Sequence, residues 1–166
     1  MSSFMAVDLI RILLIMILAY LAYIDFRTFR LPDVITLPLL FAGLAFNAFP
    51  SLQFVTLQTS IVGAILGYSS LWLLNRFYRY IKMQDGIGMG DAKLLAALGA
   101  WLGWGALPSI LFIASISGIL GGLIWLRLNK QNHGGAFPFG PFLIFAGIIE
   151  LLWPQLFQNL LLSNPT

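Results

Sequence analysis

The chain has no cysteine and a single histidine, His133, among its 166 residues. Without thiols there is no disulfide, no cysteine nucleophile and no cysteine-ligated zinc. One histidine is too few for a histidine-based metal centre, so no metal site is expected. Charge is equally scarce: 9% of the residues are Asp, Glu, Lys or Arg, against 60% that are hydrophobic. A soluble domain carries roughly 25% charged residues because its surface must be solvated. This chain has no comparable surface to cover and reads as a polytopic membrane protein. Its net charge of +3 therefore does not imply nucleic acid, and the cations are better read by position than by sum. The first apolar run lacks a basic segment before it and a small-residue cleavage site after it. It is expected to remain as a helix, not to leave as a signal peptide.

What the chain does contain is a succession of apolar runs. Residues 5–24 have the length of about 20 that crosses a hydrocarbon core as a helix. Asp8 and Arg11, three apart near its start, can pair on one face. Residues 25–33 read as a polar loop with Arg27 and Arg30. Pro32 and Asp33 then open a second span, 34–49, with the Asp33 side chain placed to accept from the free N–H groups of the first turn. A third span, 58–74, contains Gly63-x-x-x-Gly67, a spacing that allows close helix contact. The basic and aromatic segment 75–82, with Arg76, Tyr78, Arg79, Tyr80 and Lys82, reads as an interfacial anchor rather than a nucleic-acid patch.

Residues 92–104 are short for a span, so this fourth helix must begin within the preceding glycines or end shallowly at Trp101 and Trp104. A tight turn at 105–108 leads to a fifth span, 109–126, in which Gly118, Gly121 and Gly122 are expected to be close-packing points. After an aqueous loop marked by Arg127, Lys130 and His133, a sixth span starts at Phe142. The expected fold is all-α: one integral-membrane domain over 1–166, a bundle of about six transmembrane helices. Cations sit in the first, third and fifth loops, and the other loops and the C-terminal tail hold none. By the positive-inside rule the odd loops face the cytoplasm and both termini lie outside.

That topology gathers Asp25, Asp33, Asp85 and Asp91 on one side. Asp25 ends the first apolar run, and Asp91 lies in Gly88-Met89-Gly90-Asp91-Ala92-Lys93, against another. Two carboxylates within a few ångströms cannot both ionise cheaply, so one keeps a proton and the pair works as acid and base. The alternative for Asp91 is a helix N-cap, and for Asp25 a helix-end residue pairing with Arg27 or Arg30. Lys93 can steer Asp91 towards ionisation, though snorkelling to the interface is the favoured reading. Asp33 and Asp85 read as structural. Glu150 falls inside the sixth run, where an ionisable group is a functional candidate, but Trp153 and Pro154 favour an outer-interface position. The glycines around Asp91 let the backbone turn sharply and let another chain approach.

The segment from Gly88 through Asp91 and Lys93 to Trp104 resembles the GxGD segment of the type IV prepilin leader peptidases. Asp25 followed by Arg30-Leu31-Pro32-Asp33-Val34-Ile35 is similar to that family's first aspartate segment. Pro138-Phe139-Gly140-Pro141-Phe142-Leu143 resembles its late loop. The resemblance implies an intramembrane-type aspartic endopeptidase of the bacterial inner membrane. Such an enzyme removes a short basic leader from type IV prepilins or pseudopilins, in pilus or type II secretion systems, after a glycine at the cytoplasmic membrane face. It implies catalytic roles for Asp25 and Asp91, an active-site loop with Gly88, Gly90 and Lys93, and a substrate-side loop at Pro138, Phe139, Gly140 and Pro141. Prepilin substrates and membrane lipid are the implied partners, with no cofactor. Bifunctional family members carry a cysteine-containing methyltransferase region; without one, a peptidase alone is expected here. The rivals are another GxGD protease, of preflagellin or presenilin type, and a non-enzymatic transporter or scaffold with proton-relay aspartates.

Overall fold

The computed structural model describes residues 2–83, 88–129 and 138–154, and the regular structure of these residues is entirely helical. The helices are α1 (Ser2–Thr28), α2 (Asp33–Asn47), α3 (Leu57–Lys82), α4 (Met89–Leu102), α5 (Leu107–Asn129) and α6 (Gly140–Leu152), with one 3-10 turn at Trp104–Ala106 leading into α5. Their order and number match the expected bundle. Three stretches are long and apolar enough to cross a bilayer by themselves: Met5–Thr28, Leu57–Ile81 and Trp104–Ile124. The intervening α2, α4 and α6 have 15, 14 and 13 residues, each about 20 Å long at 1.5 Å per residue. Long and short helices thus alternate along the chain.

Two boundaries differ from the sequence reading. Helix α1 does not stop at residue 24 but runs to Thr28, and Phe29 ends it in the left-handed region (φ 54°), its N–H bonding the Asp25 carbonyl at 2.8 Å. Asp25 therefore belongs to a helix and not to a loop. Helix α3 likewise continues through the basic and aromatic segment to Lys82, and Met83 (φ 57°) closes it. Residues 75–82 contain no glycine or proline to break the pattern, and Arg, Tyr and Lys extend a helix at little cost. The interfacial residues ride on the last turns of α3.

Helix α4 lies at the centre. From Asp91 to Trp101 every residue except Lys93 is buried, a pattern that only a helix enclosed on all sides can show. It packs chiefly against α3 and α2, with α6 on another flank. The α3 contact is backbone against backbone. A Cβ added to Gly63 would collide with the Gly99 carbonyl oxygen, one added to Gly99 with that of Gly63, and one on Gly67 would lie 2.6 Å from the Leu95 carbonyl oxygen. The Gly63-x-x-x-Gly67 spacing is thus a packing device, as its sequence indicates.

The far end of α4 is tied down by polar groups. Asn47 Nδ2 donates to the carbonyls of Ala100 (2.8 Å) and Trp101 (3.2 Å), and its Oδ1 accepts from Phe54 N (2.9 Å) and Val55 N (3.3 Å). The Ser60 hydroxyl also donates to the Ala100 carbonyl. In the apolar interior these bonds satisfy the last carbonyls of α4 and fix the α2–α3 loop.

Candidate active site

Asp25 reaches the interior because of its place on α1. Leu14, Leu18, Leu21 and Asp25 are the buried residues of that helix, and their spacing of four, three and four puts them on one face. Asp25 is the last inward residue, 4% exposed. Asp91 is the third residue of α4 and 8% exposed, with its N–H on the Gly88 carbonyl at 3.1 Å. It does not cap the helix, since Gly88 occupies that position and supplies no side chain. The two acids come from different helices, yet Asp25 is close enough to act on Asp91 through its charge.

The late loop completes the site. Gly140 opens α6 directly against Asp25: a Cβ there would lie 2.5 Å from Asp25 Oδ2 and 3.2 Å from Leu31 Cδ1. A Cβ on Gly90 would lie 3.0 Å from Leu31 Cβ. Leu31 is thus wedged between the starts of α4 and α6, against the glycine that precedes Asp91 and the glycine that meets Asp25. Oδ2 of Asp25 is buried and accepts no hydrogen bond from any described residue. A buried oxygen without a donor costs about 1–3 kcal/mol, more if charged, unless a proton, a water or a bound group relieves it.

The glycines do less bending than their sequence suggests. Gly88 has φ −64° and ψ 134°, which any residue can adopt. Gly90 lies within the first turn of α4, and its requirement is space for Leu31. Pro138 is buried and Phe139 and Pro141 are half-buried; Phe139 also packs within 3.2 Å of the Cβ position of Gly118, and the Phe142 ring fills the space a side chain on Gly121 would need. Gly118 and Gly121 are close-packing points as expected.

Lys93 does not steer Asp91. Its Nζ lies 2.7 Å from both Asp33 oxygens, joining α4 to the first turn of α2. Asp33 accordingly makes no cap bond to its own helix; Pro32 is the N-cap residue. Arg27 does not pair with Asp25 but lies over the Tyr23 ring, 5.5 Å from its centroid. Asp8 and Arg11 do pair, at 3.5 Å. His133, Lys130 and Asp85 lie outside the described residues.

Glu150 lies at the end of the bundle away from the two aspartates, the level expected of it beside Trp153 and Pro154, but it is turned inward, 4% exposed. With Arg11, Phe54, Thr59, Trp104 and Pro154 it lines a cavity of about 380 Å³. Arg11 and Asp25 are fourteen residues apart on α1, so about 21 Å of helix separates the two ends. Nothing in the local sequence marks Glu150 as inward, because its neighbours are apolar on every side.

The family model described as the type IV leader peptidase family matches residues 12–123. The chain belongs to the type IV leader peptidase family. A prepilin leader peptidase/N-methyltransferase of Dickeya chrysanthemi is 47% identical over 128 residues, covering 77% of this chain and 44% of the relative. Proteins of the same description from Aeromonas hydrophila and Pseudomonas aeruginosa are 44% identical over 134 residues and 46% identical over 123, covering 81% and 74% of this chain and 46% and 42% of the relatives. The chain thus spans less than half the length of these relatives. No solved structure matches it.

Proposed function

We propose that this chain is a membrane-embedded aspartic endopeptidase that cleaves the short basic leader from type IV prepilins or pseudopilins after a glycine at the cytoplasmic membrane face. The observation that carries the proposal is the burial of Asp25 and Asp91 near enough for the charge of one to act on the other, with Asp25 Oδ2 lacking a donor among the described residues. A purely structural acid would be capped or ion-paired, as Asp33 is. These two are instead within reach of one another's charge, and one proton shared by the pair keeps both buried without two charges.

Peptide hydrolysis follows from that state. The ionised carboxylate takes a proton from a water as its oxygen attacks the scissile carbonyl, while the protonated partner donates to the carbonyl oxygen. Collapse of the tetrahedral intermediate returns the carbonyl, breaks the C–N bond and sends a proton to the leaving nitrogen, leaving the pair again with one proton. Gly88, exposed at the α4 start, and the Pro138–Pro141 stretch flank the acids, where an extended substrate strand would lie. Arg27, Arg76, Arg79, Lys93 and Arg127 belong to the helix ends on the aspartate side and Arg30 to the α1–α2 link there, whereas Arg11 belongs to the other side. That asymmetry supports a cytoplasmic active site in the inner membrane with both termini outside.

The test is cleavage of a prepilin with a basic leader and a Gly-Phe junction by the purified protein in lipid, beside Asp25→Asn and Asp91→Asn variants of verified fold. Loss of cleavage in both variants is expected. A folded wild type that cuts nothing, or variants that cut normally, would leave proton relay in a transporter or scaffold as the better account.

A further inference from the structure

Helices α1 and α2 are consecutive, joined by a four-residue link, and barely touch. Between them runs a groove of about 520 Å³, walled by α1 residues from Ile10 to Tyr20 and α2 residues from Val34 to Phe46, with Trp101 of α4 at its base. Its floor is buried, at Leu14, Leu39 and Trp101, while its walls are open: Leu13, Tyr20 and Val34 are exposed. The Trp101 indole N–H donates to the Leu39 carbonyl at 2.9 Å, and Gly43 leaves the space its ring occupies. The base of the groove is therefore rigid. Polar atoms are otherwise few among its walls, so it faces hydrocarbon.

The course of the groove relates it to the active site. A four-residue link turns the chain back between the two helices, so the Tyr20 and Val34 end of the groove is the end nearest the link and the Ile10 and Phe46 end is the far one. Tyr20 lies five residues before Asp25, about 7.5 Å of helix rise, and Val34 lies three residues after Leu31, which packs against Gly90 and Gly140. One end of the groove thus lies close to the level of the aspartates, and from there it runs along α1 for the ten residues between Tyr20 and Ile10, about 15 Å of helix rise.

We infer that this groove is the docking site for the apolar helix of the substrate, the membrane-spanning segment that follows the scissile bond. The inference rests on the peptidase reading above. A substrate helix lying between α1 and α2 presents its N-terminal end at the level of Asp25 and Asp91, so the chain leading into it crosses the site extended. Apolar side chains along one face of that helix fill the groove, while its other face stays in lipid. This is helix-in-groove recognition, in which shape and side-chain packing supply affinity without charge.

The absence of native cysteine makes a direct test clean. In an Asp91→Asn background that stalls turnover, Ala42→Cys places one thiol on the exposed wall of the groove. Ile119→Cys places it on the exposed face of α5 instead. A prepilin bearing one cysteine early in its apolar helix should form a disulfide with the first and not the second. Independently, Ala42→Trp fills the groove without touching the buried core and should raise KM for the full prepilin in lipid vesicles at least tenfold. Ile119→Trp should behave as wild type. If wild type cleaves, yet Ala42→Cys shows no preferential cross-link and folded Ala42→Trp keeps wild-type KM, the groove holds only lipid and the inference falls while the peptidase reading stands. If wild type cleaves nothing, the peptidase reading falls first.

Discussion

Replacing Gly140 by alanine isolates the position of one oxygen of the proposed catalytic pair. The added Cβ would lie 2.5 Å from Asp25 Oδ2, where ordinary contacts begin at 3.4 Å, so the carboxylate has to retreat by about 0.9 Å. The backbone itself does not require glycine by its φ: Gly140 is the first residue of α6 and is not among the positive-φ glycines, and the cost of a Cβ before Pro141 is read separately, through the unfolding midpoint. A displacement near 1 Å within a catalytic pair costs on the order of 100-fold in rate. Gly140→Ala should therefore lower kcat about 100-fold with its thermal unfolding midpoint in detergent little changed. A graded series sharpens the test. At Gly90 the new methyl meets Leu31 Cβ at 3.0 Å, and at Gly88 the nearest atom, Asp91 Oδ2, is 3.5 Å away, an ordinary contact. The loss of rate should fall in the order Gly140→Ala, Gly90→Ala, Gly88→Ala, and Gly105→Ala, with nothing within 4 Å of its added carbon, should match wild type. Wild-type kcat in folded Gly140→Ala, or a larger loss at Gly88 than at Gly140, would refute the reasoning.

The coupled acids predict a bell-shaped dependence of kcat/KM on pH. Below the lower apparent pKa both carboxyls are protonated and no base is present; above the upper one both are ionised and no acid is present. A monotonic profile would count against a shared proton. Asn47→Leu removes the donor to the Ala100 and Trp101 carbonyls and the acceptor for Phe54 N, which should destabilise the bundle by on the order of 3 kcal/mol in reversible unfolding in detergent. Gly99→Val drives a side chain into the Gly63 backbone and should abolish accumulation of folded protein, with Gly118→Ala tolerated because only the Phe139 ring must yield, by a few tenths of an ångström. Asp33→Asn breaks a pair whose side chains are 26% and 55% exposed, so it should cost at most about 1 kcal/mol by the same measurement.

What could be read from the sequence, and what could not, follows from the solvent. In water a helix declares its inward face by apolarity, but here the outward face of α1, with Leu9, Ile12, Leu13 and Met16 exposed, is as apolar as its buried Leu14, Leu18 and Leu21. Helix number, order and the cationic side were legible, since these depend on run length and on where charge is tolerated. Facing was not, so the inward placement of Glu150 and the wedge at Leu31 could not be seen. The end of α1 was misplaced for a related reason: a carboxylate at residue 25 looks like the edge of the hydrocarbon only if it is assumed to face water. The residues that do mark the interior are the small and polar ones. On α2 the buried positions are Thr36, Leu39, Gly43 and Asn47, spaced three, four and four, and only one of them is a large apolar residue. Polar groups in hydrocarbon must find partners inside the protein, and glycines are useful where another backbone presses close. Read for Asp, Asn, Ser, Thr and Gly on one face instead of for leucine, α1 points Asp25 inward, α2 points Asn47 inward and α3 points Ser60, Gly63 and Gly67 inward. The two aspartates then require no special device to bury them: they occupy the same inward stripes that hold the bundle together, at the ends of those stripes on the cation-rich side.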